Sequence, residues 1–224
     1  SNENTLNYKK RLGRSHNLDL MAGLSLQGQK NTYDGVASTQ ITSEELGIAG
    51  IHTGNYQKVQ SNYYDWRMMS AFLRANYNFR YKYYLTFSFR ADGSSKFPSD
   101  NRWGYFPSAG LSWNFNRENL LKKSEWMSNG KLRLSWGLTG KNRTQTPYDF
   151  YSQITVNPGS GNSLDYVFGG ERVPGYYVSN MANERLKWET TEQWNAGLDL
   201  GFFEDRIKVT ADWYDKVTRD LLLY

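Results

Sequence analysis

The 224 residues include 17 Tyr, 11 Phe, 8 Trp and 20 Gly but no Cys, a mix that favours strands and turns and excludes disulfides, thiolate metal sites and cysteine nucleophiles. The net charge of +5 raises nucleic acid as a partner, but the only basic runs are Lys9-Lys10-Arg11 and Lys122-Lys123, so no nucleic-acid role is expected. Mean hydropathy is -0.75 and no apolar run approaches the roughly 18 residues of a membrane helix, yet a transmembrane barrel needs only alternating segments of about ten residues.

Ser1-Asn2-Glu3-Asn4 lacks the basic and apolar regions of a signal peptide, so a mature product or an excised piece is expected. With two histidines, His16 and His52, no histidine-rich metal centre is expected. The approach 7–15 is polar and basic and could hold the end of an earlier strand. The first clear strand is 17–27, where Leu18, Leu20, Ala22, Leu24 and Leu26 share one face. Residues 28–65 show no sustained period and are read as a long connection, with one helical turn at Ser43-Glu44-Glu45-Leu46. The second strand, 66–79, sets Met69, Ala71, Leu73, Ala75, Tyr77 and Phe79 against Ser70, Arg74, Asn76 and Asn78. The third, 82–91, alternates Tyr83, Leu85, Phe87 and Phe89 with Tyr84, Thr86, Ser88 and Arg90.

A loop over 92–102 follows, rich in turn formers, in which Gly93 is expected at positive φ with Ser94 and Ser95 capping the turn. The fourth strand is 103–115, and Pro107 inside it predicts a bulge or a locally open hydrogen bond. After a polar connection with a helical turn around Glu118–Lys122 comes the fifth strand, 131–139. The second long connection, 140–187, contains candidate short strands at Ile154–Val156 and Tyr176–Val178. The sixth and seventh strands are 188–200 and 206–215, joined by a tight hairpin at Glu204-Asp205. Leu221–Tyr224 reads as the start of another strand.

The long connections follow strands one, three and five, which places them at one rim of an antiparallel meander. Long loops outside the cell and short turns in the periplasm are the layout of an outer-membrane barrel, and Tyr81, Trp103, Trp136, Trp188 and Trp213 suit interfacial girdles. The same alternation describes a soluble all-β carbohydrate-binding or surface-display module whose apolar face turns inward. In a membrane, open strand edges are not tolerated, so a barrel reading makes the chain one piece of a larger wall.

Arg90-Ala91-Asp92-Gly93-Ser94-Ser95-Lys96-Phe97 followed by Asn101-Arg102-Trp103-Gly104-Tyr105-Phe106-Pro107-Ser108 resembles the barrel signature of TonB-dependent outer-membrane receptors of the SusC/RagA type. The likeness continues through Leu132–Gly140, Leu186–Asp199 and Asp212–Leu222, over about two thirds of the chain. The resemblance implies an all-β fold, a long antiparallel meander forming part of a 22-stranded transmembrane β-barrel, with the whole of 1–224 an internal part of the C-terminal half of the barrel and the plug domain absent. It implies import of oligosaccharide or peptide nutrients across the outer membrane of Bacteroidota. The partners it implies are the remainder of the same receptor, a SusD-like surface lipoprotein, the inner-membrane TonB complex acting through the missing N-terminal part, and outer-membrane lipid. No cofactor is implied.

Arg90 and Asp92 are either a lumen or rim pair shaping the substrate path or a structural pair fixing strand-to-loop geometry; Asn101 and Arg102 carry the same two readings. Arg74, Lys82, Arg133, Glu189, Lys208 and Asp212 are charged strand positions expected to line the lumen or meet the plug. Glu192 shares parity with apolar Trp194 and Leu198, where lipid exposure is costly, so a position near the rim is expected. Tyr33, Tyr56, Tyr148, Tyr151, Tyr166, Tyr176 and Tyr177 are loop aromatics for partner or glycan contact. Asp149 and Asp165 could join a calcium site, but no spaced run of oxygen ligands supports one. A glycosidase needs a carboxylate pair across a cleft; none is recognisable, and no enzyme is expected.

Overall fold

The computed structural model describes residues 1–42, 44–118, 126–156, 166–173 and 175–222. Eight strands form one antiparallel sheet: β1 (Asn2–Leu12), β2 (His16–Thr39), β3 (Asn55–Phe79), β4 (Tyr83–Ser94), β5 (Trp103–Trp113), β6 (Met127–Lys141), β11 (Glu189–Phe202) and β12 (Ile207–Arg219). Between β6 and β11 the chain makes two small hairpins. One pairs β7 (Gln153–Val156) with β10 (Tyr176–Asn180), and the other pairs β8 (Tyr166–Phe168) with β9 (Glu171–Val173). Within the eight-stranded sheet every ladder joins strands in sequence order apart from the step from β6 to β11, so that sheet is a meander.

The register carries period two across the whole wall. The row Ala22–Leu73–Phe89–Pro107 lies on one face, and the row Met21–Arg74–Ser88–Ser108–Gly137 on the other. Among the described residues no second layer covers the apolar face: Leu24 is 53% exposed and Leu26 is 55% exposed. A soluble sandwich would bury these residues. Their common outward orientation is what a lipid-facing barrel wall needs, since hydrocarbon is then their solvent.

Several boundaries differ from the sequence reading. The connection expected over 28–65 is mostly strand, because β2 runs on to Thr39 and β3 begins at Asn55 in continuous register. This hairpin projects beyond the lipid-facing band, so no hydrocarbon imposes alternation on it and its sequence shows no period. Likewise 2–12 is a full strand, paired from Asn2↔Leu26 to Leu12↔His16, although Asn4 and Lys10 interrupt its apolar face. The residues Asp92 to Ser94 belong to β4 and not to a loop. Gly93 is therefore extended, not at positive φ: the glycines at positive φ among the described residues are Gly13, Gly47, Gly169 and Gly170. Gly93 instead serves close approach, since a Cβ there would stand 3.0 Å from the Trp103 indole. The expected final strand is not formed at Leu221 and Leu222, and the last two residues lie outside the described ones. A 3-10 helix spans Glu44–Thr53, while Ser43 is not described; a 3-10 turn lies at Phe115–Arg117, and the helical turn expected around Glu118–Lys122 lies, beyond Glu118, outside the described residues.

Pro107 divides the wall. Its pairing with Phe89 passes without a bulge, but pairing with β6 starts only at Ser108↔Gly137. Beyond the proline, β5 and β6 part at the long-loop rim. The gap holds the main core of the chain: Phe97, Phe106 and Trp188, with Met68, Leu138 and Leu186 packed around them. Gly140 makes room for the Phe106 ring, which a Cβ would strike directly.

At the opposite rim the connections are tight. Arg80 and Tyr81 both take positive φ, the signature of the hairpin turn that matches strand twist. The strain is offset by the Asn78 side-chain oxygen, which accepts from the Tyr81 N–H at 2.8 Å, and by the Arg80 N–H donating to the Ser15 carbonyl at 2.7 Å.

Candidate functional site on the polar face and its rim

Arg90 and Asp92 sit two apart on one strand and therefore on one face. The long arginine folds back so that Nε donates to both carboxylate oxygens, at 2.7 and 2.8 Å, while Nη2 donates to Ser70 Oγ at 3.0 Å. The guanidinium carbon lies 5.7 Å from the Phe72 ring centroid. Asp92 is only 6% exposed, and Ser70 and Gly104 face it across β3 and β5. The pair thus borders the Phe97–Phe106–Trp188 core.

Asn101 and Arg102 act on the rim through different atoms. The Arg102 carbonyl accepts from the Ser94 N–H at 3.1 Å and from the Trp188 indole N–H at 3.0 Å. Asn101 Nδ2 approaches the Glu184 carbonyl at 3.4 Å. Ser95 Oγ accepts from the Arg67 N–H at 2.9 Å, and Ser94 Oγ from the Lys96 N–H at 3.3 Å. These bonds tie the chain around 94–102 to the segment entering β11.

A second charged group spans three strands. Arg133 on β6 donates from Nε and Nη2 to Asp199 on β11, at 2.8 and 3.0 Å, and from Nη2 to Asp212 on β12 at 2.9 Å. Thr210 adds a bond to Asp199 at 3.2 Å. Gly197 leaves room for the guanidinium, whose carbon would lie 2.7 Å from a Cβ at that position. Lys208 is not part of the group; its nearest carboxylate is Asp205, at 3.7 Å. Arg74 lies on the same polar face, opposite Met21 and Ser88.

Glu192 belongs to the apolar face. Its Oε1 accepts from the indole N–H groups of Trp136 at 3.0 Å and Trp194 at 3.3 Å, and Oε2 lies 3.5 Å from Arg219. Trp136 and Trp194 are direct partners across the ladder. The pairing of those two tryptophans was the available signal, but it depends on the register of strands fifty residues apart.

The loop aromatics do not converge on one cleft. The Tyr148 hydroxyl accepts from the Asp65 N–H at 3.1 Å. Tyr151 packs on Phe150 with ring centroids 4.0 Å apart, and Tyr166 faces Phe168 across 6.2 Å. Tyr176 and Tyr177 are exposed on β10, and Tyr33 is exposed on β2; Tyr56 lies in β3, with its side chain outside the described residues. Asp149 organises its own turn, accepting from the N–H groups of Gln145 at 2.7 Å and Thr146 at 3.0 Å. Asp165 is outside the described residues. Nearby, Lys96 stands 4.9 Å from the Trp66 ring. Burial pushes its ammonium below the usual lysine range, against the opposing pull of Asp149.

At the short-turn rim, Glu118 closes a clamp. It accepts from Lys82 Nζ at 2.8 Å, the Tyr83 hydroxyl at 2.8 Å and the Trp113 indole at 3.4 Å. The Lys82 and Tyr83 hydrogen bonds, in that order, hold its carboxyl down at about 2.

Residues 1–224 match the family described as TonB dependent receptor-like, beta-barrel. The chain is 35% identical over 221 residues to TonB-dependent receptor P3 of Formosa agariphila, covering 98% of this chain and 21% of that receptor. It is 42% identical over 158 residues to TonB-dependent receptor SusC of Bacteroides thetaiotaomicron, covering 69% of this chain and 15% of SusC. A solved chain of the RagAB peptide transporter superposes with a TM-score of 0.84 at 28% identity, over 99% of this chain and 24% of that one. The chain thus spans about a fifth of the length of the relatives it matches.

Proposed function

The chain belongs to the TonB-dependent receptor β-barrel family, and from that premise we propose that it is wall of an outer-membrane active importer for oligosaccharide or peptide nutrients. It is a SusC/RagA-type barrel segment of the outer membrane. In the proposal, the remainder of the same receptor supplies the plug and the other strands, the TonB complex supplies energy, and a SusD-like lipoprotein works at the extracellular mouth. A peptide cargo is supported by the likeness to a protein described as a peptide transporter.

The observation that carries the reading is the two-faced wall. Its outward face is largely apolar, interrupted at Asn4, Lys10, Asp215 and the indole-held Glu192, and its inward face is a polar ladder with Arg90–Asp92 and Arg133–Asp199–Asp212 already paired. Pairing neutralises those charges within the wall, so they act as clamps that keep the lumen rigid and polar against a plug. Arg74 and Lys208 remain candidates for contact with plug or cargo. The exposed Tyr33, Tyr176 and Tyr177 stand at the long-loop rim, where a lipoprotein partner would sit. The relatives are receptors, and no catalytic role is proposed.

Uptake tests this directly. Cells carrying the full-length receptor and its partner lipoprotein are given fluorescent oligosaccharides or fluorescent peptides. Uptake of one class is expected to vanish on deletion of either the receptor or TonB. Uptake of both classes unchanged by receptor deletion overturns the proposal.

A further inference from the structure

We propose that the outward face of β2–β5, at its long-loop end, is a binding site for a phosphate-bearing lipid of the outer leaflet. The site begins at the row Leu26–Met69–Gly93–Trp103, four residues aligned across four strands. Because Gly93 has no side chain, the Trp103 indole lies down over the strand, 3.0 Å from where a Cβ would be. The laid-down indole walls a groove of about 540 Å³ whose lining includes two arginines, Arg67 and Arg102.

The next row toward the membrane centre is Leu24–Ala71–Ala91–Tyr105. Two alanines between larger neighbours leave a trough about two strand spacings, or roughly 10 Å, across. A second groove of about 540 Å³ runs from Ala91 and Ala71 to Ala22, beside Leu24 and Leu73. The upper groove is cationic and the lower one is apolar, which is the order of headgroup and acyl chain in a lipid.

Depth agrees with this order. Trp103 and Trp113 begin and end β5 on the same face. At about 3.4 Å per residue and a tilt of about 40°, they stand roughly 26 Å apart along the membrane normal, close to the ~25 Å band between aromatic girdles. Trp113 stacks with Tyr83 at the short-turn rim, ring centroids 6.4 Å apart. Trp103 therefore marks the other interface, and Arg67 and Arg102 stand at headgroup height.

The two arginines decide the occupant. Arg67 is exposed, and its one close carboxylate, Asp65, is 3.6 Å away, too long for a good hydrogen bond. Guanidinium forks match phosphate oxygens geometrically, and the pairing is strongest at a partly dry interface. An apolar protein helix in the same groove would bring no counter-charge to Arg102 and leave Arg67 with only the distant Asp65. A zwitterionic lipid would bring its own ammonium to the same place.

The inference rests on the apolar face pointing outward and not on the identity of the cargo, so uptake and lipid binding fail or succeed separately. The full-length receptor with its partner is purified in detergent, exchanged with phosphorylated lipid A or with lipid A stripped of phosphate, and read by native mass spectrometry. The unmodified receptor is expected to retain phosphorylated lipid A at least tenfold better than the stripped form. Retention is expected to drop about tenfold in R67Q/R102Q and to survive in R67K/R102K, with the heat-modifiable electrophoretic shift of a folded barrel intact in all three. A91L, which fills the trough, is expected to reduce retention of either lipid. Equal retention of the two lipids by the unmodified receptor overturns the proposal without recourse to any variant; so does undiminished retention by folded R67Q/R102Q.

Discussion

The Trp136 indole N–H donates to Glu192 at 3.0 Å on the mainly apolar face of the sheet. A carboxylate there is tolerated because two indoles and Arg219 surround it. Removing one donor leaves part of the carboxylate unsatisfied in a poorly hydrated place. W136F is expected to destabilise the full-length barrel more than E192Q, which keeps an acceptor for the indole. The midpoint of the heat-modifiable electrophoretic shift checks the ranking; equal midpoints for W136F and the unmodified receptor refute it.

Arg133 is bidentate to Asp199 and also reaches Asp212. R133M strands two carboxylates, and partial solvent exposure limits the cost to about 1–2 kcal/mol. R133K keeps the charge but loses the fork, so it is expected to recover less than half of the loss. D212N is expected to cost least, because Asp212 is the more exposed of the two acids. Urea titration of the three variants in detergent reads the order.

Glu118 responds to pH with a definite sign. Its carboxyl is held at about 2 in the folded chain and stands near 4.5 without its partners. The folded state therefore binds fewer protons between these values, and the clamp's contribution is complete above about pH 4.5 and declines as pH falls toward about 2. Amide hydrogen exchange at residues 80–84 and 113–118 is expected to quicken over that window. E118Q, which has no carboxyl to titrate, is expected to flatten the response; an unchanged response in E118Q assigns it to another group.

Phe97 is fully buried against Trp188, with ring centroids 5.1 Å apart. F97A is expected to cost about 3–5 kcal/mol locally, and G140A to force the Phe106 ring out of its place. Both are expected to raise hydrogen exchange in 94–106 and 184–190 while leaving β2–β3 protected. Loss of protection across the whole sheet would show instead that the rim core holds the entire wall.

Much of the wall is readable from the residues because lipid enforces period two. Leu18 to Leu26, Tyr83 to Phe89 and Leu132 to Leu138 alternate without ambiguity, and their neighbours in sequence order became their neighbours in the sheet. Where no hydrocarbon acts, the pattern lapses: residues 28–39 and 55–65 are strands with no apolar period, held by mutual hydrogen bonds above the membrane band. Gly93 shows the same limit on a smaller scale. Its type signalled a special backbone need, but whether that need was a turn or an approaching indole depended on Trp103 from the next strand.

The sequence by itself determined the strand class, which residues share the apolar face, and the resemblance to the receptor family, because each is written in local alternation or in contiguous motifs; that the apolar face points outward was decided by its exposure in the sheet. Only the tertiary structure decided which charges meet. Arg133 finds acids 66 and 79 residues away, and Glu192 finds an indole 56 residues away. Such partners are fixed by strand register, and register is a property of hydrogen-bonded ladders that no single segment carries.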